Sequence, residues 1–295
     1  IANGIAYQYA KEVFGEEASY LRIGFSYPIP MELIKEFASR VDTLYVIEEV
    51  EPFLEEEIRA AGIACHGKDI LPGIGELSPR IIEEKIKGVK KELLPTKPDK
   101  VTNRPPVLCA GCAHRAVFYE LGKRKDLFIS GDIGCYGLGA LPPLNAMDTC
   151  ICMGASVSAG HGAAKAFTEY DVKKHVVSVI GDSTFFHSGM TSLLNVIYNK
   201  SKTITLILDN RITGMTGHQD HPGTGYTAQG EESQEADIEK IVKALGVNHV
   251  RKINPLQLNE LHEAIDTALE TPEPSVIIAR WPCALKKLSA KDKEE

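Results

Sequence analysis

A doubly wound α/β fold, with a parallel sheet flanked by helices and a smaller α/β unit before it, is what this 295-residue sequence predicts. Three observations carry that prediction. Apolar, β-branched runs of strand length, such as Val176-Val177-Ser178-Val179-Ile180 and Thr203-Ile204-Thr205-Leu206-Ile207-Leu208, read as strands buried on both faces. Segments of helical period alternate with them, the signature of βα units. The runs also end directly in polar punctuation, Gly181-Asp182-Ser183 and Asp209-Asn210, where an α/β sheet presents ligands.

Taken in order, Met31 to Arg40 and Phe53 to Ala61 read as helices, Thr43 to Ile47 as a buried strand, and Ile81 to Glu92 as a charged amphipathic helix. Four prolines between Pro95 and Pro106 favour extended backbone, so a linker is placed at 96–106, after a first domain at 1–95. The second domain, 107–285, holds strands at Leu127 to Ser130, at the two runs above and at Val276 to Ala279. Helices at Gly189 to Asn199, Ala236 to Leu245 and Leu256 to Leu269 connect them, and a charged tail follows at 286–295. Gly154 to Ala164 is a further helix whose small side chains would let another backbone approach closely.

Composition narrows the function. A net charge of −7, from 40 acidic against 33 basic residues with no long basic run, argues against a nucleic-acid partner. No apolar run approaches the ~20 residues that a membrane helix needs. The chain opens at Ile1 without a secretory signal, and it carries seven cysteines, an odd number. Together these point to a reducing, cytoplasmic setting rather than a disulfide framework.

A carboxylate at Asp182 and a carboxamide at Asn210, brought together at neighbouring strand ends, suit a hard cation such as magnesium that also holds phosphate oxygens. Gly181 would leave room for a diphosphate. The plainer alternative is a structural turn in which Asp182 caps a helix. Cys109-Ala110-Gly111-Cys112 is a loop suited to presenting two thiolates to one metal or cluster, and spacing alone leaves zinc, a redox dithiol and an iron–sulfur cluster open.

Leu108 to Arg115, Ser130 to Cys135, Gly181-Asp182-Ser183 and Asp209 to Gly217 resemble the thiamine-diphosphate half of the 2-oxoacid:ferredoxin oxidoreductases, most of all their indolepyruvate branch. The similarity covers Pro105 to Cys283, and Leu21 to Pro52 is similar to the transketolase-C-terminal-like domain that precedes that half. The resemblance implies a thiamine-diphosphate-binding fold with Asp182, Asn210 and the Ile212 carbonyl as magnesium ligands. Gly181, Ser183, Thr213, Gly214, Met215, Thr216, Gly134 and Cys135 would line the cofactor. It further implies a [4Fe-4S] cluster on Cys109, Cys112, Cys135 and Cys283, with Cys135 ending a strand at the Asp182 edge. The implied reaction is oxidative decarboxylation of a 2-oxoacid, an arylpyruvate such as indolepyruvate, to an acyl-coenzyme A and carbon dioxide, with electrons passed to ferredoxin.

Two departures bear on that implication. The glutamate that activates the cofactor's aminopyrimidine comes from a pyrimidine-binding domain or subunit not found in this sequence, so the chain alone should be inert. The ferredoxin-like segment expected after Cys283 is also replaced by Lys286-Lys287-Leu288 and the charged tail, so electrons would leave through a second subunit. A cofactor held between two domains implies an oligomer.

His114 and Arg115 are candidates to contact diphosphate or substrate carboxylate, and Met215 to support the cofactor ring. His187, His218 and His221 flank the metal loops and could serve acid–base steps. Cys65 reads as structural, Cys150 and Cys152 as core or lining residues, and His161 as a packing residue. Rival readings are a non-oxidative thiamine decarboxylase or carboligase, a non-catalytic cofactor-binding module, and a zinc-binding C-x-x-C module.

Overall fold

The computed structural model describes residues 1–90 and 101–288, which form two compact units, Ile1–Thr102 and Asn103–Glu295. The division falls inside the proline-bearing stretch. Residues 96–100 of the expected linker, 91–92 of the expected helix from Ile81 and 289–295 of the expected tail lie outside the described residues.

In the first unit, β1 (Ala2–Asn3) pairs in parallel with β2 (Arg22–Ile23) across α1 (Gly4–Phe14). Helices α2 (Met31–Ala38) and α3 (Phe53–Ala60) follow the expected positions, each slightly shorter at its C-terminal end. The first turn of α3 is capped from outside by buried Glu48, which accepts from the amides of Leu54 at 2.8 Å and Glu55 at 2.9 Å. Thr43 to Ile47 is not a full strand. Its neighbours offer single pairing positions, Ala2 to Ile47 and Tyr45 to His66, so no ladder propagates. The segment from Ile81 begins as α4 (Pro79–Ile82) and then loosens into a π-helical turn, Glu83–Lys87.

The second unit is built on a six-stranded sheet in the order β4-β3-β5-β6-β8-β7, with every pairing parallel. Its strands are β3 (Leu127–Gly131), β4 (Thr149–Cys150), β5 (His175–Gly181), β6 (Ile204–Asp209), β7 (His249–Ile253) and β8 (Ser275–Arg280). Between them lie α5 (His114–Gly122), α6 (Ser156–Glu169), α7 (Asp182–Thr184), α8 (Met190–Tyr198), α9 (Ile238–Ala244) and α10 (Leu258–Glu270).

Because side chains alternate across a strand, consecutive apolar residues serve both faces of this sheet. Val177, Val179, Leu206, Leu208 and Ile277 pack with Val117, Phe118 and Leu121 of α5 and Leu261 and Ile265 of α10. Ile180, Ile207, Val276 and Ile278 pack on the opposite face with Val157 of α6, Leu193 and Val196 of α8, and Val242 of α9. The small-residue helix does approach the sheet closely, since a Cβ at Gly160 would sit 2.1 Å from the Ser178 hydroxyl of β5.

Candidate cofactor site

Parallel strands end on one edge, so β3, β5, β6 and β8 deliver Asp132, Asp182, Asp209-Asn210 and Trp281-Pro282-Cys283 to the same side of the sheet. Register refines this. Gly181 pairs with Leu208, and Asp209 pairs with Arg280, whose Nε donates to the Asp209 carboxylate at 2.7 Å. Burial, then the charge of Asp182, pushes the Asp209 carboxyl up despite Arg280 and Arg211.

Asp182 opens α7, which passes through a π-helical turn, Phe185–Gly189, into α8, the kind of irregularity often found at functional sites. Its carboxylate is 3% exposed. Oδ1 accepts from the Ser183 amide at 2.8 Å, while Oδ2 accepts from the Arg211 amide at 2.8 Å and from His221 Nε2 at 3.1 Å. Of the three flanking histidines, His221 alone is buried, whereas His187 and His218 are exposed. His161 of α6 meets the Ser201 hydroxyl at 2.7 Å.

Asn210 accepts at Oδ1 from the Ile212 amide at 3.2 Å, and its Nδ2 lies 3.4 Å from Nε2 of His114. His114 is buried, and burial lowers its pKa to about 4 against a smaller opposing pull from Asp182. The ring is therefore neutral near pH 7 and can accept from the Asn210 amide. Thr213 donates its hydroxyl to Ser183 Oγ at 2.9 Å, tying the two loops together. A Cβ built at Gly214 would stand 3.8 Å from Cys135 Sγ and 3.9 Å from Asn210 Nδ2, so this glycine lies between the amide and a thiol.

Several of the expected positions have partners within the chain. The space beside Gly181 is taken by Tyr136, whose ring carbon would meet a Cβ there at 2.9 Å. The Tyr136 hydroxyl accepts from the Gly181 amide at 3.0 Å and donates to the Ile133 carbonyl at 3.0 Å. Gly134 likewise abuts that ring. Arg115 is exposed and donates to the Leu108 carbonyl. Met215 is 54% exposed, and Thr216 donates to Gln219 Oε1 at 2.6 Å.

Cys135 does not end a strand but starts a 3₁₀ helix, Cys135–Ala140. The strand stops at Gly131 because fully buried Asp132 turns its carboxylate to accept from Ile133, Gly154 and Ser156 amides at 2.7 to 3.2 Å. Asp132 and Tyr136 thus order the turn after β3; the sequence pattern includes Asp132 within Ser130 to Cys135, by its Gly-Asp repeat, but assigns neither residue a role.

The four candidate cluster cysteines lie within electrostatic reach of Cys112 or Cys135. Burial first, then the charges of Cys283, Cys109 and Cys135, pushes the Cys112 thiol up, while an amide hydrogen bond from His114 pulls it down. Burial, Cys283 and Cys109 act in the same upward direction on Cys135. The Cys283 amide donates to the Asn210 carbonyl at 3.0 Å, joining the cysteines to the Asp182/Asn210 loops. Among the described residues no three His, Cys, Asp or Glu side chains are already drawn together as a metal-ion site. Cys150 and Cys152 are exposed rather than core, since β4 is a two-residue edge strand that leads out to exposed Ile151 and Met153. Cys65 packs at the edge of a first-unit core.

Residues 132–279 match the family model described as thiamine pyrophosphate enzyme, C-terminal TPP binding domain. The chain belongs to the thiamine pyrophosphate enzymes. Its curated relatives include the indolepyruvate oxidoreductase subunit IorA of Methanothermobacter thermautotrophicus, 40% identical over 97% of this chain and 49% of the relative. The subunit of the same name from Archaeoglobus fulgidus is 38% identical over 100% of this chain and 50% of the relative. The chain therefore spans about half the length of the curated relatives it matches. A solved structure of 2-oxoglutarate:ferredoxin oxidoreductase from Magnetococcus marinus, with 2-oxoglutarate, coenzyme A and succinyl-CoA bound, shares the fold at a TM-score of 0.55 and 16% identity, over 66% of this chain and 71% of that one. The parallel α/β cofactor-binding fold and the resemblance to 2-oxoacid:ferredoxin oxidoreductases both hold.

Proposed function

We propose that this chain is the magnesium- and diphosphate-holding part of a thiamine-dependent 2-oxoacid:ferredoxin oxidoreductase that acts on arylpyruvates. The observation that carries the proposal is the junction at Asn210: the amide of the next residue, Arg211, donates to Asp182 while the Asn210 carbonyl accepts from the Cys283 amide. The loop offered to the cation is thus tied to one of the four candidate cluster cysteines. Asp182, Asn210 and the Ile212 carbonyl supply only oxygen ligands, which fit magnesium. Ser183, Thr213 and Gly214 line the adjoining loops, where a diphosphate would lie.

When bound, thiamine diphosphate supplies the electron sink for loss of carbon dioxide from a 2-oxoacid. The chain's own part is placement: Asp182 and Asn210 fix the cation, and neutral, buried His114 keeps the Asn210 amide turned. Burial, with smaller contributions from the neighbouring cysteines, raises the Cys112 and Cys135 thiols, so a bound metal centre would favour their thiolates; Cys109, Cys112, Cys135 and Cys283 would hold the [4Fe-4S] cluster that relays electrons toward ferredoxin. The names of the relatives, indolepyruvate oxidoreductase subunits, support indolepyruvate as the substrate type. The first unit would be the transketolase-C-terminal-like domain. A pyrimidine-binding domain or subunit carrying the activating glutamate, a second subunit and coenzyme A complete the assembly, which we place in the cytoplasm. Among the described residues no helix is long and apolar enough to cross a membrane.

The test is an inventory of the full-length protein with its partner subunit, purified without oxygen. Thiamine diphosphate, magnesium, iron and sulfide are expected together, with dye reduction driven by arylpyruvate and coenzyme A. Asp182→Ala should remove the magnesium and thiamine diphosphate but leave the iron. Thiamine diphosphate without iron would favour the non-oxidative decarboxylase, and zinc in place of iron would favour the C-x-x-C zinc module.

A further inference from the structure

Buried His221 has no part in the proposed function, yet it touches the carboxylate at the centre of the site. Its Nε2 lies 3.1 Å from Asp182 Oδ2, and its Nδ1 accepts from the Gly223 amide at 3.1 Å. A backbone amide can only donate, so Nδ1 carries no hydrogen and the hydrogen of a neutral ring sits on Nε2. The ring is thereby fixed as a donor to Asp182.

Packing holds it in that pose. The Phe186 ring, from the π-helical turn after Asp182, lies 5.7 Å from the imidazole centroid at an interplanar angle of 35°. A Cβ at Gly223 would come within 2.8 Å of Phe186 and 3.0 Å of His221, so the slot admits only glycine backbone. Thr224 closes the turn with its hydroxyl donating to the His221 carbonyl at 2.9 Å.

The two oxygens of Asp182 are consequently unlike. Among the described residues, Oδ2 receives two donors, the Arg211 amide and His221, whereas Oδ1 receives only the Ser183 amide. A carboxylate oxygen offers about two lone-pair directions, so Oδ2 is filled and Oδ1 keeps one open.

We propose that His221 is a positioning residue that saturates Asp182 Oδ2 and so presents Oδ1 to the cation. The inference rests on the reading of Asp182 as a magnesium ligand, and it assigns the second contact that orients that ligand, of the kind metal sites commonly need.

Two amide variants separate this from a merely structural role. His221→Gln places its side-chain NH₂ near the Nε2 position and retains the donor to Asp182. His221→Asn keeps an acceptor near Nδ1 for the Gly223 amide but falls short of Asp182. Mn2+, standing in for Mg2+, is titrated by electron paramagnetic resonance into the full-length protein with its partner subunit and thiamine diphosphate; circular dichroism and thermal melting check the fold. His221→Asn should weaken Mn2+ about 10- to 100-fold, and His221→Gln by no more than about threefold. Equal binding by His221→Asn and wild type, or equal loss in both variants, overturns the inference. Failure of the wild-type protein to take up Mn2+ instead overturns the reading of Asp182 itself, and the inference with it.

Discussion

His114 shows how one residue can tie stability to the site. Burial holds its pKa at about 4, against about 6.5 in an unfolded chain, because a charge there would be stranded away from water. The unfolded chain thus binds a proton below pH 6.5 that the folded, metal-free protein refuses until about pH 4. Stability is full above the unfolded value and falls as the pH drops from 6.5 toward 4. The expected loss between pH 7 and pH 5 is about 2 kcal/mol from this residue. Urea unfolding of the metal-free protein at the two pH values should show it, and His114→Gln should flatten the difference. An unchanged difference in the variant would remove His114 as its source. Tyr136 works at the same scale without titrating near neutrality, since burial, reinforced by Asp132, pushes its phenol far up and leaves the hydroxyl protonated to bridge Gly181 and Ile133.

Among elements, the junction of α5 with α10 matters because α5 begins at His114, directly after the C-x-x-C loop. Arg124, just past α5, donates to Asp266 of α10 at 2.5 Å and lies 3.1 Å from buried Glu120, which His262 of α10 also meets at 2.7 Å. Burial alone would raise the Glu120 carboxyl, but hydrogen bonds from His262 and Arg124 more than offset it. Arg124→Ala should therefore cost about 1–3 kcal/mol, by leaving a buried carboxylate short of donors, and an unmoved urea midpoint would show that the junction carries no such weight. Which elements could be read in advance follows from their surroundings. Strands β3, β5, β6 and β8 announced themselves because both faces are buried and each ends in Gly or a polar residue. Edge strand β7 did not, since His249-Val250-Arg251-Lys252-Ile253 mixes charge with apolar residues as an exposed edge requires. Conversely Thr43 to Ile47 has strand composition but lacks partners long enough to pair with. The site divides in the same way. Asp182 and Asn210 sit at strand ends that spacing locates, whereas the contact of His221 with Asp182 spans 39 positions and depends on how a Pro-Gly turn folds back.

The whole molecule poses a question of completeness. In the proposed reading the second unit would offer oxygens to a cation and thiols to a cluster, and the relatives are about twice as long as this chain. Of the proposed reaction, these 295 residues would supply one wall of the site: ligands for the cation and neighbours for the diphosphate. Activation of the aminopyrimidine needs an acid that the proposed assembly draws from its pyrimidine-binding domain, and binding energy from both walls is needed to hold the cofactor in a reactive pose. The 295-residue chain alone should thus give no viologen reduction with arylpyruvate and coenzyme A, whereas the full-length protein with its partner subunit should turn over. Thiamine-diphosphate affinity, measured by calorimetry with saturating Mg2+, should be at least about tenfold weaker for the chain alone. Turnover by these 295 residues unaided would place the activating acid within them, with buried Asp132 and Asp209 the first candidates.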